Sequence, residues 1–255
     1  MNRLGVQMNR KKRSGIEIIL FLFLYMLANG CNGADTYDEE NSDPLEDVNN
    51  VFYGINDVLD KAFLEPTAEM YADYLPRGIQ SGISNFFDNL AYPGVIINDF
   101  LQGKIGDGIE SAGRFVVNTI LGIGGLFDPA TSLGLERHEE DFGQTLGVWG
   151  SGGEGAYVVL PVLGPNSVRD APGLVAELCT NILYYLESSI MVPLIAVSAI
   201  ERRAEFLEIS RLRDRSPVDP YLFTRDAYLE RRKHLIYDGK STYNYDGQYE
   251  DDQGS

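Results

Sequence analysis

Apolar side chains in this chain fall at helical spacing over most of its length. Leu45, Val48, Phe52, Ile55, Leu59 and Phe63 recur three or four residues apart, the period of one helix face. The run opens on Asp43-Pro44-Leu45-Glu46: an aspartate that caps, a proline suited to the first helical position, and a glutamate at the capping-box position. The pattern predicts an amphipathic helix that stops near Pro66. Shorter helical patterns follow over Ile79 to Leu90, over Tyr92 to Leu101 (opening at Pro93), and over Ile105 to Leu121, where Gly122-Ile123-Gly124-Gly125 ends the run. Asp219-Pro220 repeats the Asp-Pro start before Tyr221 to Tyr237, and there Tyr221/Leu222, Tyr228/Leu229 and Leu235/Ile236 recur every seven residues. Strand signals are rare. Ala156 to Leu160 is rich in β-formers, but Pro161 and Pro165 crowd it, and a single strand lacks a partner. The expected fold class is mainly α.

The first thirty-one residues set the compartment. A basic cluster, Arg10 to Arg13, precedes the apolar run Ile18 to Leu27 and then Ala28-Asn29-Gly30-Cys31. This is the layout of a secretory signal. The run holds ten residues, and a membrane-crossing helix needs roughly 20. Met8 offers an alternative start of more usual signal length. A cysteine after small residues resembles a bacterial lipobox, in which the Cys31 thiol is acylated and becomes the new N-terminus. Ala28 stands where the lipobox usually has Leu, and Asn29 is bulkier than usual. Asn32 after the cysteine, rather than Asp, favours an outer-membrane destination. With Cys31 acylated, Cys179 has no disulfide partner. Its apolar neighbourhood predicts a buried, inert thiol. Residues 32–42 read as an acidic tether. The Tyr/Asp/Gly-rich stretch 238–255 has no apolar period and reads as a disordered acidic tail.

Two uncharged stretches are unusual. Phe115 to Phe127 and Ser188 to Ile200 are each 13 residues long, and Gly155 to Val168 is also free of charge. A 13-residue helix reaches about 20 Å, too short for about 30 Å of hydrocarbon but enough for one leaflet. Core helices of a soluble protein fit the same pattern. The leader tips the balance towards a leaflet.

Charge excludes several classes of function. Cleavage before Cys31 removes five basic residues and one acidic one, which leaves 16 Lys+Arg against 37 Asp+Glu. A nucleic-acid partner needs a basic footprint, and adhesion to anionic lipid needs a polybasic face. Gly150 to Gly155 matches G-x-G-x-x-G, but no strand clearly precedes it and no helix opens after it, so a flexible loop is expected rather than a dinucleotide site. His138 and His234 are the only histidines. No metal-ligand spacing and no nucleophile elbow accompany them, so neither a metal, a cofactor nor catalysis is expected. Trp149, the sole tryptophan, reads either as an anchor at a membrane interface or as core, and the core is the expectation.

Several blocks, taken in order, resemble the MlaA (VacJ) family of outer-membrane lipoproteins. They are Asp43 to Glu46 with Asn49; Gly113 to Asp128; Phe142 to Gly147; Leu160 to Pro165 with Arg169-Asp170; and Ser216 to Tyr221 with Tyr228 and Arg231. The resemblance spans about residues 43–237. The chain departs from the family at Val48-Asn49-Asn50, where Phe-Asn-Arg is usual, which removes a positive charge. The resemblance implies a ring of helices embedded in one membrane leaflet around a central amphipathic channel. It implies removal of phospholipid misplaced in the outer leaflet and its transfer to a soluble periplasmic lipid-binding carrier, alongside a trimeric outer-membrane porin. Cys31 is then the lipid anchor on the periplasmic-leaflet side of the outer membrane. On this reading Phe115 to Asp128 forms a hairpin at the channel, with Asn118, Thr119, Gly122, Gly124, Gly125, Leu126, Phe127 and Asp128 as its residues. Asn118 and Thr119 would face the headgroup path. Asp128 serves either the channel or as a cap for the following turn. A structural lipoprotein that scaffolds a porin complex is the alternative, and a periplasm-facing hydrolase a more distant one.

Overall fold

The computed structural model describes residues 43, 45–150 and 155–239. The leader, Cys31, the tether, most of the Gly150–Gly155 loop and the tail beyond residue 239 lie outside the described residues.

Helix α1 (Glu46–Leu59) starts where the sequence predicts. Asp43 acts earlier than a simple cap: its carboxylate accepts the Leu45 N–H at 3.0 Å and the Asn49 amide at 3.1 Å. It also accepts the Tyr221 hydroxyl. The predicted stop near Pro66 is absent. A π-helical turn, Asp60–Leu64, leads directly into α2 (Glu65–Tyr74). The wider turn places Pro66 in the first turn of α2, where a missing N–H breaks no ladder bond.

The two patterns around Pro93 form one helix, α3 (Arg77–Leu101), rather than two. A proline inside a helix costs a hydrogen bond, but α3 packs against most of the molecule's other layers, and tertiary packing overrides local propensity. Gly94, next to the proline, lets Thr180 approach so closely that a Cβ there would lie 2.9 Å from its hydroxyl. Helix α4 (Ile105–Ile120) matches the expected span and lies along α3. The short α5 (Pro129–Ser132) and α6 (Phe142–Val148) follow, capped by the carboxylates of Asp128 and Asp141.

The lone strand has a partner after all. Strands β1 (Tyr157–Leu160) and β2 (Gly164–Ser167) pair antiparallel, with Val159 opposite Pro165. Pro165 is tolerated because β2 is an edge strand. The outer edge of β1 is closed by side chains of α1. Asn49 accepts the Val159 N–H at 2.8 Å and donates to the Tyr157 carbonyl at 3.0 Å. Asn56, two turns further on, accepts the Val162 N–H at 2.7 Å and donates to the Leu160 carbonyl at 2.9 Å. Two side-chain amides thus stand in for a third strand and satisfy an edge that would otherwise be open.

After the hairpin come α7 (Ala171–Thr180), a 3₁₀ turn (Ile182–Tyr185), α8 (Ser188–Glu205), α9 (Leu207–Arg215) and α10 (Pro220–Ile236). Helix α10 begins at the Asp-Pro signal, and Asp219 accepts the Tyr221 and Leu222 N–H groups at 2.9 and 3.2 Å. An apolar core sits where α1, the hairpin and α10 meet. Tyr157, Val159 and Tyr221 are buried there, with Phe52, Tyr53, Leu222, Tyr228 and Leu229 packed around them. The tyrosine rings meet at 5.7 to 6.0 Å between centroids.

Cys179 is exposed rather than buried, because the face of α7 that carries it with Val175 and Leu178 is turned outward. Trp149 is not core either. It is half-exposed, and its indole N–H donates to the Leu101 carbonyl at 3.0 Å. Among the described residues no helix is long and apolar enough to cross a membrane.

Candidate functional site

Helix α4 is amphipathic with its polar side turned inward. Gly108, Ser111, Arg114 and Asn118, spaced three, three and four apart, are its buried residues. Ile105, Ile109, Val116 and Ile120 are exposed. The facing side of α3 contributes Asn89, Asn98 and Asp99, all buried. Asp99 accepts the Ser111 hydroxyl at 2.7 Å, and Asn98 accepts the Thr145 hydroxyl at 2.8 Å. Hydrogen bonds thus tie α3 to α4 through Asp99 and Ser111 and to α6 through Asn98 and Thr145. Buried polar groups are costly unless so paired.

The turn after α4 closes onto this polar layer. Gly122 is buried, and a Cβ on it would lie 2.3 Å from the Phe127 carbonyl oxygen. Gly125, at φ +94°, faces Asn89 so closely that a Cβ would lie 2.4 Å from it. Only glycine fits either place. Gly124 also has positive φ but borders open space. Ile123, a β-branched residue, sits at φ 56°, a conformation such residues rarely adopt. The tip around it is apolar and outward: Ile120, Leu121, Ile123, Leu126 and Phe127 are all exposed.

Asp128 ties the turn to α4. Its carboxylate accepts from Arg114 at 2.7 Å and from Asn118 at 3.0 Å. It also accepts the Thr131 N–H at 3.1 Å and the Thr131 hydroxyl at 2.6 Å, so it caps α5. Burial pushes its pKa up, but the hydrogen bonds from Thr131, Asn118 and Arg114 outweigh this and bring it down to about 2. Asn118 completes the knot by accepting the Ala130 N–H at 3.0 Å. Arg114 also donates to the Leu135 carbonyl at 2.5 Å.

The structure thus separates the predicted hairpin residues into two sets. Asn118, Gly122, Gly125 and Asp128 belong to the polar knot. Leu126 and Phe127 point outward with the greasy tip. Thr119 lies between, exposed but accepting the Asn89 amide at 2.9 Å. A polar cleft opens beside the knot, lined by Asn85, Asp88, Asn89, Tyr92, Arg114, Asn118, Asp128 and Arg137. Of these, sequence reasoning singled out only Asn118 and Asp128. The missed signal for Arg114 was the 108-111-114-118 stripe of small and polar residues, set against Ile105, Ile109, Val116 and Ile120 on the opposite face. Arg137 reaches Asp88 at 3.1 Å. Burial raises the Asp88 carboxyl above its ordinary range, against the pull of Arg137.

A second polar knot braces the far side. Arg232 of α10 binds Asp141 through two nitrogens, at 2.5 and 3.0 Å, and contacts Asp170 at 2.9 Å. Tyr228 and Arg169 also donate to Asp170. Burial works against the Arg232 charge, but Asp141 and Asp170 win and raise its pKa. Among the described residues no cluster of His, Cys, Asp and Glu could hold a metal ion. His138 lies 3.7 Å from Glu110, and His234 packs against Gly239.

Comparison with known proteins gives a consistent picture. A family model described as MlaA lipoprotein matches residues 41–235. The intermembrane phospholipid transport system lipoprotein MlaA of Escherichia coli (strain K12) is 38% identical over 215 residues, covering 83% of this chain and 85% of that protein. The protein of the same name from Haemophilus influenzae is 31% identical over 230 residues, covering 88% of this chain and 91% of that one. A chain solved in work on the structural basis for maintenance of bacterial outer membrane lipid asymmetry aligns with a TM-score of 0.68 at 38% identity. It covers 77% of this chain and 100% of that chain.

Proposed function

This chain belongs to the MlaA lipoprotein family, and from that premise we propose that it moves phospholipid between membranes by giving misplaced lipid a polar path out of the outer membrane's outer leaflet. The relatives' name, intermembrane phospholipid transport system lipoprotein, supports the substrate class. The observation that carries the reading is the inverted helix α4, with Arg114 and Asn118 buried and Ile109, Val116 and Ile120 exposed. Large apolar side chains turned outward suit hydrocarbon. A hydrogen-bonded polar layer within suits a headgroup that must leave hydrocarbon at low cost.

On this reading the exposed faces of α3, α4 and α8 and the tip at Ile123 lie in one leaflet, and the chain rings a channel. Cys31 supplies an acyl anchor. One chain alone binds marginally, since each buried CH₂ contributes about 0.8 kcal/mol, so multiple acylation would hold it permanently. A soluble periplasmic carrier receives the lipid, and a trimeric porin flanks the ring. No bond is made or broken, because movement down a gradient needs only a lowered barrier.

The test is reconstitution. Vesicles with labelled phospholipid and the acylated chain should release lipid to the purified carrier, and Asn118→Leu should slow release several-fold. Unchanged release with and without the chain would leave a scaffolding lipoprotein as the better reading.

A further inference from the structure

Asp128, Asp141 and Asp170 each face an arginine: Arg114 at 2.7 Å, Arg232 at 3.0 Å and Arg169 at 2.8 Å. Asp99 does not. It is fully buried, and among the described residues no arginine or lysine side chain contacts it. The Ser111 hydroxyl gives Oδ2 a hydrogen bond at 2.7 Å, while Oδ1 is buried with no partner. Its place in the fold disfavours a charge further. Asp99 lies in the last turn of α3, which carries no basic residue, and a helix C-terminus favours cations over anions. The elements packed against it add charge of the same sign, Asp107 from α4 and Glu140 from the loop before α6. Lys104, at the head of α4, is already held by Glu140 at 2.7 Å and by Asp238. His138, in the same loop as Glu140, stands 3.7 Å from Glu110.

We propose that Asp99 is a proton-binding site: it keeps a proton in the folded chain at pH values where exposed aspartates are ionised, and release of that proton loosens the corner where α3 turns into α4. A buried carboxylate without a partner is so costly that the group takes up a proton instead. A proton needs no cavity. Once bound, Oδ2–H donates to the Ser111 oxygen across the same 2.7 Å, an ordinary length for O–H···O, and the serine hydroxyl turns to a carbonyl of its own helix. Burial is the largest influence on the carboxyl and raises it above its ordinary 3.8. The Ser111 hydrogen bond opposes the rise, Glu140 adds to it, His138 opposes it and Asp107 adds to it. The folded group therefore binds a proton that the opened chain gives up. The corner is tightest in mild acid, weakens as pH rises above about 4, and weakens no further once the folded group has itself ionised. This rests on the packing of α3 and α4 and is independent of transport.

The test uses the full chain in detergent micelles, unsubstituted and as Asp99→Asn, which mimics the neutral acid. Infrared spectra across a pH series read neutral carboxyls directly. The difference between the two chains should hold a neutral-carboxyl band that persists above about pH 5, where an ordinary aspartate is about nine-tenths ionised, and that fades at a higher midpoint. Hydrogen exchange at the amides of Gly108 to Ala112 gives the second reading. Opening, corrected for the intrinsic exchange rate, should rise by up to about tenfold per pH unit from about pH 4 to the same midpoint, and Asp99→Asn should remove that rise. Absence of the band above about pH 5 overturns the proposal, and so does an equal pH dependence of opening in the two chains. If Asp99→Asn fails to fold, Ser111→Ala decides. Loss of the hydrogen bond that steadies the carboxylate should move the band's midpoint upward in the difference spectrum against the unsubstituted chain, and an unmoved or lowered midpoint overturns the proposal.

Discussion

The corner where α1, the hairpin and α10 meet and the layer formed by α3 and α4 are built on opposite rules. In the first, Tyr157, Val159 and Tyr221 are buried among Phe52, Tyr53 and Leu229, and charged Arg231 and Asp226 sit outside. That is the packing of a protein in water, although the free face of α1 beside it exposes Val48, Val51, Ile55 and Val58. In the second, Asn89, Asp99, Ser111, Arg114 and Asn118 are inside, while Ile97, Phe100, Ile109, Val116 and Ile120 are outside. One chain is written for two solvents. The difference shows that helical period alone fixes which residues share a face, while the surrounding medium decides which face is turned in.

The sharpest way to break the contrast is to remove the charge at its inner pole. Arg114→Ala deletes the partner of Asp128 and orphans the Leu135 carbonyl. Removing one member of a buried pair costs about 3–5 kcal/mol, so denaturant unfolding in micelles should show a loss of that order. The loss should be smaller for Arg231→Ala, since that side chain is 59% exposed and only 3.8 Å from Glu139, an arrangement worth little.

A second substitution probes the outer pole. Phe127 is 61% exposed. Phe127→Asp should leave unfolding in micelles within about 0.5 kcal/mol, as surface changes usually do. In a chain begun after residue 31, which has no acyl anchor, partitioning into vesicles should weaken by up to about 2.5–3.5 kcal/mol, the cost of an aspartate deep in a bilayer. Equal partitioning by both forms would mean that the tip never meets lipid, and the two-solvent description of α4 would fall.

The same contrast explains how far the sequence could be read. Local signals transferred well: Asp219-Pro220 starts α10, and the glycines at 122 and 125 end α4, because each needs only neighbouring residues. Signals that depend on distant packing did not. The continuation of helix past Pro66 relies on a π turn, and that past Pro93 on layers packed around α3. Strand β2 is hidden by Pro165, and the residues that close the edge of β1, Asn49 and Asn56, lie about a hundred positions earlier. Cys179 and Trp149 were expected inside on the rule that apolar residues seek the interior, which fails wherever the exterior is apolar too. Asn118 and Asp128 were legible because they interrupt an uncharged run. Tyr92, Asp88 and Arg137 were not, since nothing in the sequence brings α3 and the loop before α6 to one cleft.

Extremes of pH should separate the two regions by sign. Burial pushes the hydroxyls of Tyr157, Tyr221 and Tyr228 well above the ordinary tyrosine value of 10.0. A group with a raised folded pKa holds its proton in the fold after the unfolded chain has lost it. Stability from this corner is therefore whole below about pH 10 and falls as pH rises beyond it. Asp128 behaves in the opposite way. Its pKa is down at about 2 against the ordinary carboxyl value of 3.8, so its contribution is present above pH 4 and fades as pH falls towards 2. The acid effect is the smaller, because the raised carboxyls of Asp88, Asp99 and Glu201 oppose the lowered ones of Asp128 and Asp141. Tyr228→Phe should flatten the alkaline limb of a melting profile and leave the acid limb alone, and Asp128→Asn should do the reverse. If either substitution moved both limbs equally, the corner and the layer would be one electrostatic unit, and the boundary drawn between them would have no physical meaning.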